Sequence, residues 1–297
     1  MTNPPVILTR DLTKSYGAVT AVRALNLSVE KNRITAFLGQ NGAGKSTTIK
    51  MLLGMVRPTC GDADVLGKRI SNAKENCELR RRVAHVAENE PLYSYMTVEQ
   101  TIAFASSFYP DWQPDHAGKL LSQYRLLPRQ KVKTLSKGMR TKLALLLAFA
   151  RRPDLLILDE PSEGLDPVGI EDLLQTLVAK AADGASIFFS SHQIAEVERI
   201  ADQVCILHHG CLLMNASLDQ LRQSYRRINL SFASAPAQQD LRITGVEKIR
   251  TEGRRISIFA SQNADAVIAR ARDLNAVSVD VAPVALREIF LETVREN

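Results

Sequence analysis

The chain has 297 residues and a net charge of +6, with 45% apolar and 24% charged residues, an ordinary globular composition. Its length suits about two domains, and its longest apolar run, residues 143–150, falls short of the roughly 18 residues of a membrane span. The N-terminus lacks the pattern of a signal peptide, so we expect a cytoplasmic protein. Because the basic residues are scattered in small clusters, we expect no nucleic-acid partner.

The first 33 residues alternate short apolar stretches with turn residues, which predicts a small layer of antiparallel strands. Several almost wholly apolar runs follow, and these are typical of parallel strands buried on both faces. Helical patterns lie between them, over residues 45–55, 170–183 and 194–202. The sequence therefore predicts an α/β core with a mostly parallel sheet. The apolar runs are residues 34–39, 83–87, 155–160, 186–192 and 204–208.

A helix-rich insert is predicted over about residues 95–150, with helices at 97–109 and 116–127 separated by "YPDWQPD". From residue 216 the pattern changes to a small α+β appendage. Its predicted helices cover 263–276 and 284–297. Its predicted strands are 227–234, 242–246, 248–253, 254–261 and 277–283.

The segment "CILHHGC" places Cys205 and Cys211 on either side of two histidines, which raises the alternative of a metal site. Its spacing does not match the ligand spacings of zinc sites. The longer segment "QVCILHHGCLLM" predicts a strand, a turn at His209-Gly210 and a second strand. We expect reduced thiols, in keeping with a cytoplasmic protein.

The segment "GQNGAGKST" matches the phosphate-binding pattern G-x-x-x-x-G-K-[ST]. Small residues let consecutive backbone N–H groups surround phosphate oxygens, and the following helix offers its positive N-terminus. Lys45 would contact the β and γ phosphates of a nucleotide, and the Ser46 hydroxyl would bind Mg²⁺. The alternative is a glycine-rich turn before an ordinary helix. The predicted nucleotide contacts are Gly39, Gln40, Asn41, Gly42, Ala43, Gly44, Lys45, Ser46 and Thr47.

Three further polar residues follow apolar strands, at the sheet edge where ligands bind in open α/β folds. Asp159 and Glu160 end the run "LLILDE", and His192 ends "SIFFSSH". Asp159 would support Mg²⁺, and Glu160 would orient and polarise the attacking water. His192 could donate a hydrogen bond to the γ-phosphate or to water near neutral pH. A lone acidic strand end or histidine would otherwise be read as structural.

In these motifs the chain resembles the ATP-binding cassette (ABC) family. Five elements occur in the family's order: "GQNGAGKST", a sensing loop near "VAHVAENEPLY", "LSKGM", "LLILDEP" followed by "SEGLDP", and "SSH". Tyr16 in "LTKSYG" matches the aromatic residue that stacks on adenine in this family. The resemblance covers about residues 5–215, so it implies an ATPase domain over 1–215 and an accessory domain over 216–297.

Two positions depart from the usual pattern of the family. The signature is commonly LSGGQ, whereas here it is "LSKGM", which keeps Ser136 and Gly138. The sensing loop usually carries glutamine, but Glu88 holds that place and would be a third Mg²⁺ ligand. Both departures resemble a bacterial branch that serves exporters and has its membrane permease on a separate chain.

The resemblance also implies partners. In this family two cassettes stack head to tail, so Ser136 and Gly138 would bind the γ-phosphate held by a second ATPase subunit, identical or different. Within one copy we expect this segment to do little beyond capping a helix at Ser136. An integral-membrane permease would hold the protein at the inner face of the cell membrane and select the cargo.

Two alternatives remain at this point. One is a soluble ABC ATPase that acts on ribosomes or nucleic acid, although a single phosphate-binding motif and the absence of sustained heptads in the sequence count against it. The other is a regulatory nucleotide-binding protein without transport, and the Glu160 carboxylate argues against a purely binding role.

Overall fold

The computed structural model describes residues 4–89, 91–234 and 238–295. The chain divides into two compact units between Asn215 and Ala216. In chain order the first unit contains β1 (Ile7–Tyr16), β2 (Val19–Leu25), β3 (Ser28–Val29), β4 (Ile34–Leu38), α1 (Lys45–Leu52), β5 (Cys60–Val65), β6 (Lys68–Arg69), α2 (Ala73–Arg82), β7 (Val83–Val86), α3 (Val98–Ser106), α4 (Pro114–Gln123), α5 (Lys137–Phe149), β8 (Leu155–Asp159), α6 (Pro167–Ala182), β9 (Ser186–Ser191), α7 (Ile194–Ile200), β10 (Gln203–His208) and β11 (Cys211–Ser217), which runs across the boundary.

The central sheet has six strands in the order β11-β10-β4-β9-β8-β7. The five strands from β10 to β7 pair in parallel, which confirms the prediction from the apolar runs. Every residue of β4 and β8 is buried, as expected for strands covered on both faces. The predicted turn at His209-Gly210 is also confirmed, because it joins β10 to its neighbour β11.

The N-terminal layer is a five-stranded antiparallel sheet in which β1 pairs with β2, β3 and β5, and β5 pairs with β6. The sequence predicted the antiparallel layer but not β5 and β6, which come after α1. A shared apolar core joins this layer to α1 and the central sheet, and it includes Ile7, Leu12, Ile49 and Phe188. This core therefore fixes the position of α1 relative to the β4–α1 loop.

The helical insert is formed by α3, α4 and α5. Thr97 starts α3 with a capping box, and Ser136 caps α5 by accepting a hydrogen bond from the Met139 N–H at 3.2 Å. The inward residues of α5 recur at helical spacing, with Leu143, Leu146 and Phe149 fully buried. None of the helices in the described part of the chain is long and apolar enough to cross a membrane.

The second unit is a four-stranded antiparallel sheet with helices, which confirms the predicted α+β appendage. The sheet order is β13-β14-β12-β15, and α9 packs against β12. The strand predicted over 242–246 is wrong, because Thr244 and Gly245 form a turn in which Gly245 has a φ of 92°. The last two residues of the helix predicted over 284–297 lie outside the described residues. The elements of this unit are α8 (Leu218–Ser224), β12 (Arg226–Ser231), β13 (Val246–Glu252), β14 (Arg255–Ala260), α9 (Ala264–Asp273), β15 (Ser278–Pro283) and α10 (Leu286–Arg295).

Candidate functional site

A cleft of about 550 Å³ lies at the carboxyl ends of the central strands. The loop between β4 and α1 forms one wall, and Glu88, Glu160, Glu163 and His192 come from other loops and strand ends. The sheet therefore gathers residues from distant parts of the sequence, as the apolar runs predicted. The wall residues from the β4–α1 loop are Gln40, Asn41, Gly42 and Gly44, and those from the start of α1 are Lys45, Ser46 and Thr47.

The β4–α1 loop is packed so closely that only glycine fits at its key bends. Gly44 has a φ of 106°, and a Cβ placed there would lie 2.4 Å from the Ala21 carbonyl oxygen. The turn after β10 supports the same loop, because the Gly210 N–H donates to the Ala43 carbonyl at 3.0 Å. Among the described residues no side chain caps α1, so the N–H groups of its first turn can bind an anion.

Lys45 lies at the floor of the cleft and is only 6% exposed. Its ammonium donates to the Gly39 carbonyl at 2.7 Å and forms an ion pair with Glu160 Oε1 at 2.9 Å. The other Glu160 oxygen, Oε2, lies 2.9 Å from His192 Nδ1. The structure thus places one carboxylate between a cation and an imidazole, beside a loop that can bind anions.

The turn after β8 fixes the direction of Glu160. Its φ is 48°, a value that side chains rarely adopt, and its N–H donates to Ser190 Oγ at 2.9 Å. The same Ser190 hydroxyl donates to Asp159 Oδ1 at 2.6 Å, which orients that buried carboxylate. One serine on β9 therefore positions two consecutive acidic residues.

Two acidic residues near the cleft were missed by the sequence analysis. Glu163 lines the cleft and pairs with Lys137 at 2.9 Å, which lowers the pKa of its carboxyl. Glu196 on α7 is buried, and burial raises the pKa of its carboxyl, with the nearby charge of Glu160 adding to the rise. Glu163 lies in the segment "SEGLDP", which the sequence analysis noted. The segment forms a turn that places Glu163 next to Glu160 at the cleft, but the motif does not show which way the Glu163 side chain points.

Three of the residues predicted from the family resemblance lie outside the described lining of this cleft. Tyr16 ends β1 with 51% of its surface exposed, and its ring centre is 5.0 Å from Lys14 Nζ. Ser136 caps α5, as described above. Gly138 faces its own chain, because a Cβ placed there would lie 2.4 Å from the Gly164 carbonyl oxygen. Within one copy this segment therefore packs against the turn after β8, in addition to the expected capping of α5 by Ser136.

The residues predicted to bind Mg²⁺ are partly gathered at the cleft. Ser46 and Glu88 line it, and Asp159 immediately precedes Glu160. Within the described ranges no three His, Cys, Asp or Glu residues form a cluster that could hold a metal ion by themselves. This set fits Mg²⁺, which typically uses one or two carboxylates and completes its coordination with phosphate and water oxygens.

Comparisons with known proteins agree with this geometry. A family model described as ABC transporter matches residues 22–163. The chain is 36% identical over 225 residues to the bacitracin transport ATP-binding protein BcrA of Bacillus licheniformis, covering 75% of this chain and 73% of the relative. It is 30% identical to the uncharacterised ABC transporter ATP-binding protein YcbN of Bacillus subtilis, covering 98% of each chain. A solved ATP-binding subunit of an ABC transporter superposes with a TM-score of 0.67 and 33% identity, over 73% of this chain and 92% of that one.

Proposed function

This chain belongs to the ATP-binding subunits of ABC transporters and is an ATPase, and from that premise we propose that ATP is hydrolysed in the cleft around Glu160 to drive a separate membrane permease. The observation that carries this proposal is the position of Glu160 between Lys45 and His192, at 2.9 Å from each. A buried carboxylate held there is suited to orient and polarise a water molecule.

In this proposal the positively charged groups of the cleft bind the phosphates, and the carboxylate of Glu160 acts on water. Lys45 and the N–H groups at the start of α1 bind the phosphates, since both offer positive potential. Glu160 orients the attacking water, and His192 holds the Glu160 carboxylate and donates a hydrogen bond at the γ-phosphate. Because Lys45 pairs with Glu160, bound phosphate competes with that carboxylate for the lysine. Tyr16 is proposed to stack on the adenine.

Mg²⁺ is the proposed cofactor, held by Ser46, Asp159 and Glu88. When bound, it neutralises negative charge on the phosphates. Ser190 contributes by fixing one oxygen of Asp159, which leaves the other oxygen to face the ion or a water molecule bound to it. Glu88 adds a negative charge at this site, so we expect it to tighten metal binding and weaken nucleotide binding.

A second ATPase subunit completes the site. Ser136 and the start of α5 lie outside the described lining of their own cleft, and we propose that they bind the γ-phosphate held by the second subunit. ATP binding closes this pair of subunits and hydrolysis opens it. The Ser136 hydroxyl and the helix N-terminus supply the contacts, since both favour an anion.

The permease is proposed to dock on the helical insert near Glu88. Tyr93, Tyr95, Phe104 and Phe108 form an exposed aromatic strip, with neighbouring ring centres 5.1–5.7 Å apart. Exposed aromatic clusters of this kind are typical of protein interfaces. The strip joins the loop after Glu88 to α3, so it offers a path between nucleotide and permease. Docking there places the protein at the inner face of the cell membrane.

The direction of transport is proposed to be export. Support comes from the "LSKGM" signature, the appended second unit and the relationship to a bacitracin transport ATP-binding protein. The alternative of a soluble ATPase acting on ribosomes or nucleic acid is not favoured, because the relatives reported above are ABC transporter subunits. Inside-out membrane vesicles that contain this ATPase and its permease should accumulate cargo when ATP is supplied. Loss of preloaded cargo from the vesicles would indicate import.

The direct test of the site is Glu160→Gln. The amide keeps the shape of the side chain but cannot accept a proton, so ATP turnover should fall about a hundredfold or more while ATP binding is retained. Turnover is measured by phosphate release and binding by equilibrium titration. Glu171→Gln is the matched control and should leave both unchanged, because this half-exposed carboxylate of α6 pairs with Arg199 and lies outside the described lining of the cleft. Full turnover in Glu160→Gln would remove Glu160 from the mechanism.

A further inference from the structure

Glu163 belongs both to the nucleotide cleft and to the turn that follows β8. The Glu163 N–H donates to the Glu160 carbonyl at 3.0 Å, which closes the turn and brings its side chain to the cleft lining. Glu163 and His192 both line the cleft, so an anion bound there lies near both side chains. Any anion that enters the cleft therefore acts electrostatically on Glu163.

The same carboxylate reaches the first residue of α5. Lys137 Nζ lies 2.9 Å from Glu163 Oε1. The stem of Lys137 packs against Gly164, where an added Cβ would lie 3.1 Å from the lysine Cγ and Cδ atoms. Lys137 stands where the signature more commonly has glycine, which has no side chain that could form this ion pair.

The backbone reinforces the connection. Gly138 lies directly against the Gly164 carbonyl, and Thr141 Oγ1 lies 3.5 Å from the Glu163 carbonyl oxygen. A shift of the Glu163–Gly164 turn must therefore move the first turn of α5 as well, because closely packed backbone has no free space to absorb the shift. Side-chain charge and backbone packing thus join the same two segments.

We propose that Glu163 and Lys137 form a positioning link that transmits the presence of nucleotide phosphate in the cleft to the first turn of α5 in the same chain. Phosphate disfavours orientations of the Glu163 carboxylate that point into the cleft, so the ion pair with Lys137 is formed for more of the time and Lys137 is held more firmly at the start of the helix. The link rests on the nucleotide site proposed above. It gives Ser136 and Gly138 a position that depends on the nucleotide of their own subunit.

Hydrogen exchange of the purified full-length chain, with and without a non-hydrolysable ATP analogue, tests this link. In the wild type we expect slower exchange both in residues 39–47 and in the first turn of α5, the latter by about two- to threefold, as expected for a surface ion pair. In Glu163→Gln and in Lys137→Gln the slowing over 39–47 should persist, and the slowing in α5 should disappear. A side chain with a purely structural role would change exchange in both states and leave the response to nucleotide intact.

Lys142→Gln is the matched control. Lys142 is another cation of α5 close to this loop, and its Nζ lies 3.7 Å from Asp166 Oδ2. Asp166 caps α6 and lies outside the described lining of the cleft. The α5 response should survive in this variant. The link is overturned if the α5 response also survives in Glu163→Gln, or if it vanishes in Lys142→Gln. It is also overturned if the response grows with protein concentration, because such a response would report the pairing of two subunits. No slowing over 39–47 in the wild type would instead refute the proposed nucleotide site.

Discussion

At the scale of single residues, Lys45 is a buried cation that connects the two walls of the cleft. It is buried, and it holds both the Gly39 carbonyl and the Glu160 carboxylate. Lys45→Ala removes the cation for the phosphates, so ATP turnover should fall by about a hundredfold or more and nucleotide affinity should also fall. It also leaves Glu160 without its cation, which should lower the free energy of unfolding by about 1–3 kcal/mol while the fold is retained.

Steady-state phosphate release, nucleotide titration and urea unfolding measure these three effects. Lys50→Ala is the control, because Lys50 is an exposed cation on the same helix. Turnover in Lys45→Ala equal to that of Lys50→Ala would contradict the assignment of the phosphate-binding loop.

The place of the β4–α1 loop at the cleft could be predicted from sequence, because a phosphate-binding pattern that follows a buried strand and opens a helix lies at the carboxyl edge of the sheet. That the loop binds phosphate stays a prediction. The contact between Gly138 and Gly164 could not be predicted. It depends on how α5 approaches a turn 26 residues further along the chain, and nothing in the local pattern records that approach. Glu163 was missed for the same reason, since its direction follows from the turn that begins at Glu160.

At the scale of elements, the aromatic strip of the helical insert carries the proposed permease contact. Aromatic residues at the centre of an interface often contribute most of its binding energy. Replacing both Tyr95 and Phe104 by alanine should therefore weaken the affinity for the permease by about tenfold or more. The isolated chain should keep its own ATPase activity, because the strip lies outside the described lining of the cleft.

Co-purification from membranes that contain the cognate permease measures this effect. Leu127→Ala is the control, since Leu127 is an exposed apolar residue of the same insert that does not belong to the strip. Unchanged retention of the Tyr95→Ala, Phe104→Ala variant would exclude the strip as the docking surface.

Elements whose residues are buried on both faces were the easiest to predict. The five parallel strands are short apolar runs, and tertiary packing agrees with that local pattern. Strand β5 was missed because its sequence, "CGDADV", is mostly polar and buries only Ala63 and Val65. It forms because β1 offers it a pairing partner, with Ile7 opposite Val65, and this long-range pairing leaves little trace in the sequence.

At the scale of the whole molecule, the proposed mechanism requires two subunits, because the signature segment does not contribute to the described lining of the cleft in its own subunit. Ser136 lies outside the described lining of its own cleft and already has a structural role, capping α5 through the Met139 N–H. Replacing Gly138 does not test the contact between subunits cleanly, since any side chain there meets Gly164 in the same chain. A test must leave both intrachain contacts intact.

Ser136→Asp meets this requirement, and we expect it to prevent closure of the two subunits on ATP. Aspartate caps a helix as well as serine does, so α5 should remain stable. Its negative charge, however, would face the γ-phosphate held by the second subunit and repel it. In Glu160→Gln, where slow hydrolysis should let the closed pair accumulate, ATP should double the mass observed by light scattering, or close the subunits within the assembled permease complex. Adding Ser136→Asp should abolish that closure, while adding Ser217→Asp, which makes the same exchange at the cap of α8, should not. Closure that survives Ser136→Asp in the assembled complex would show that the signature segment does not contact the nucleotide of the second subunit.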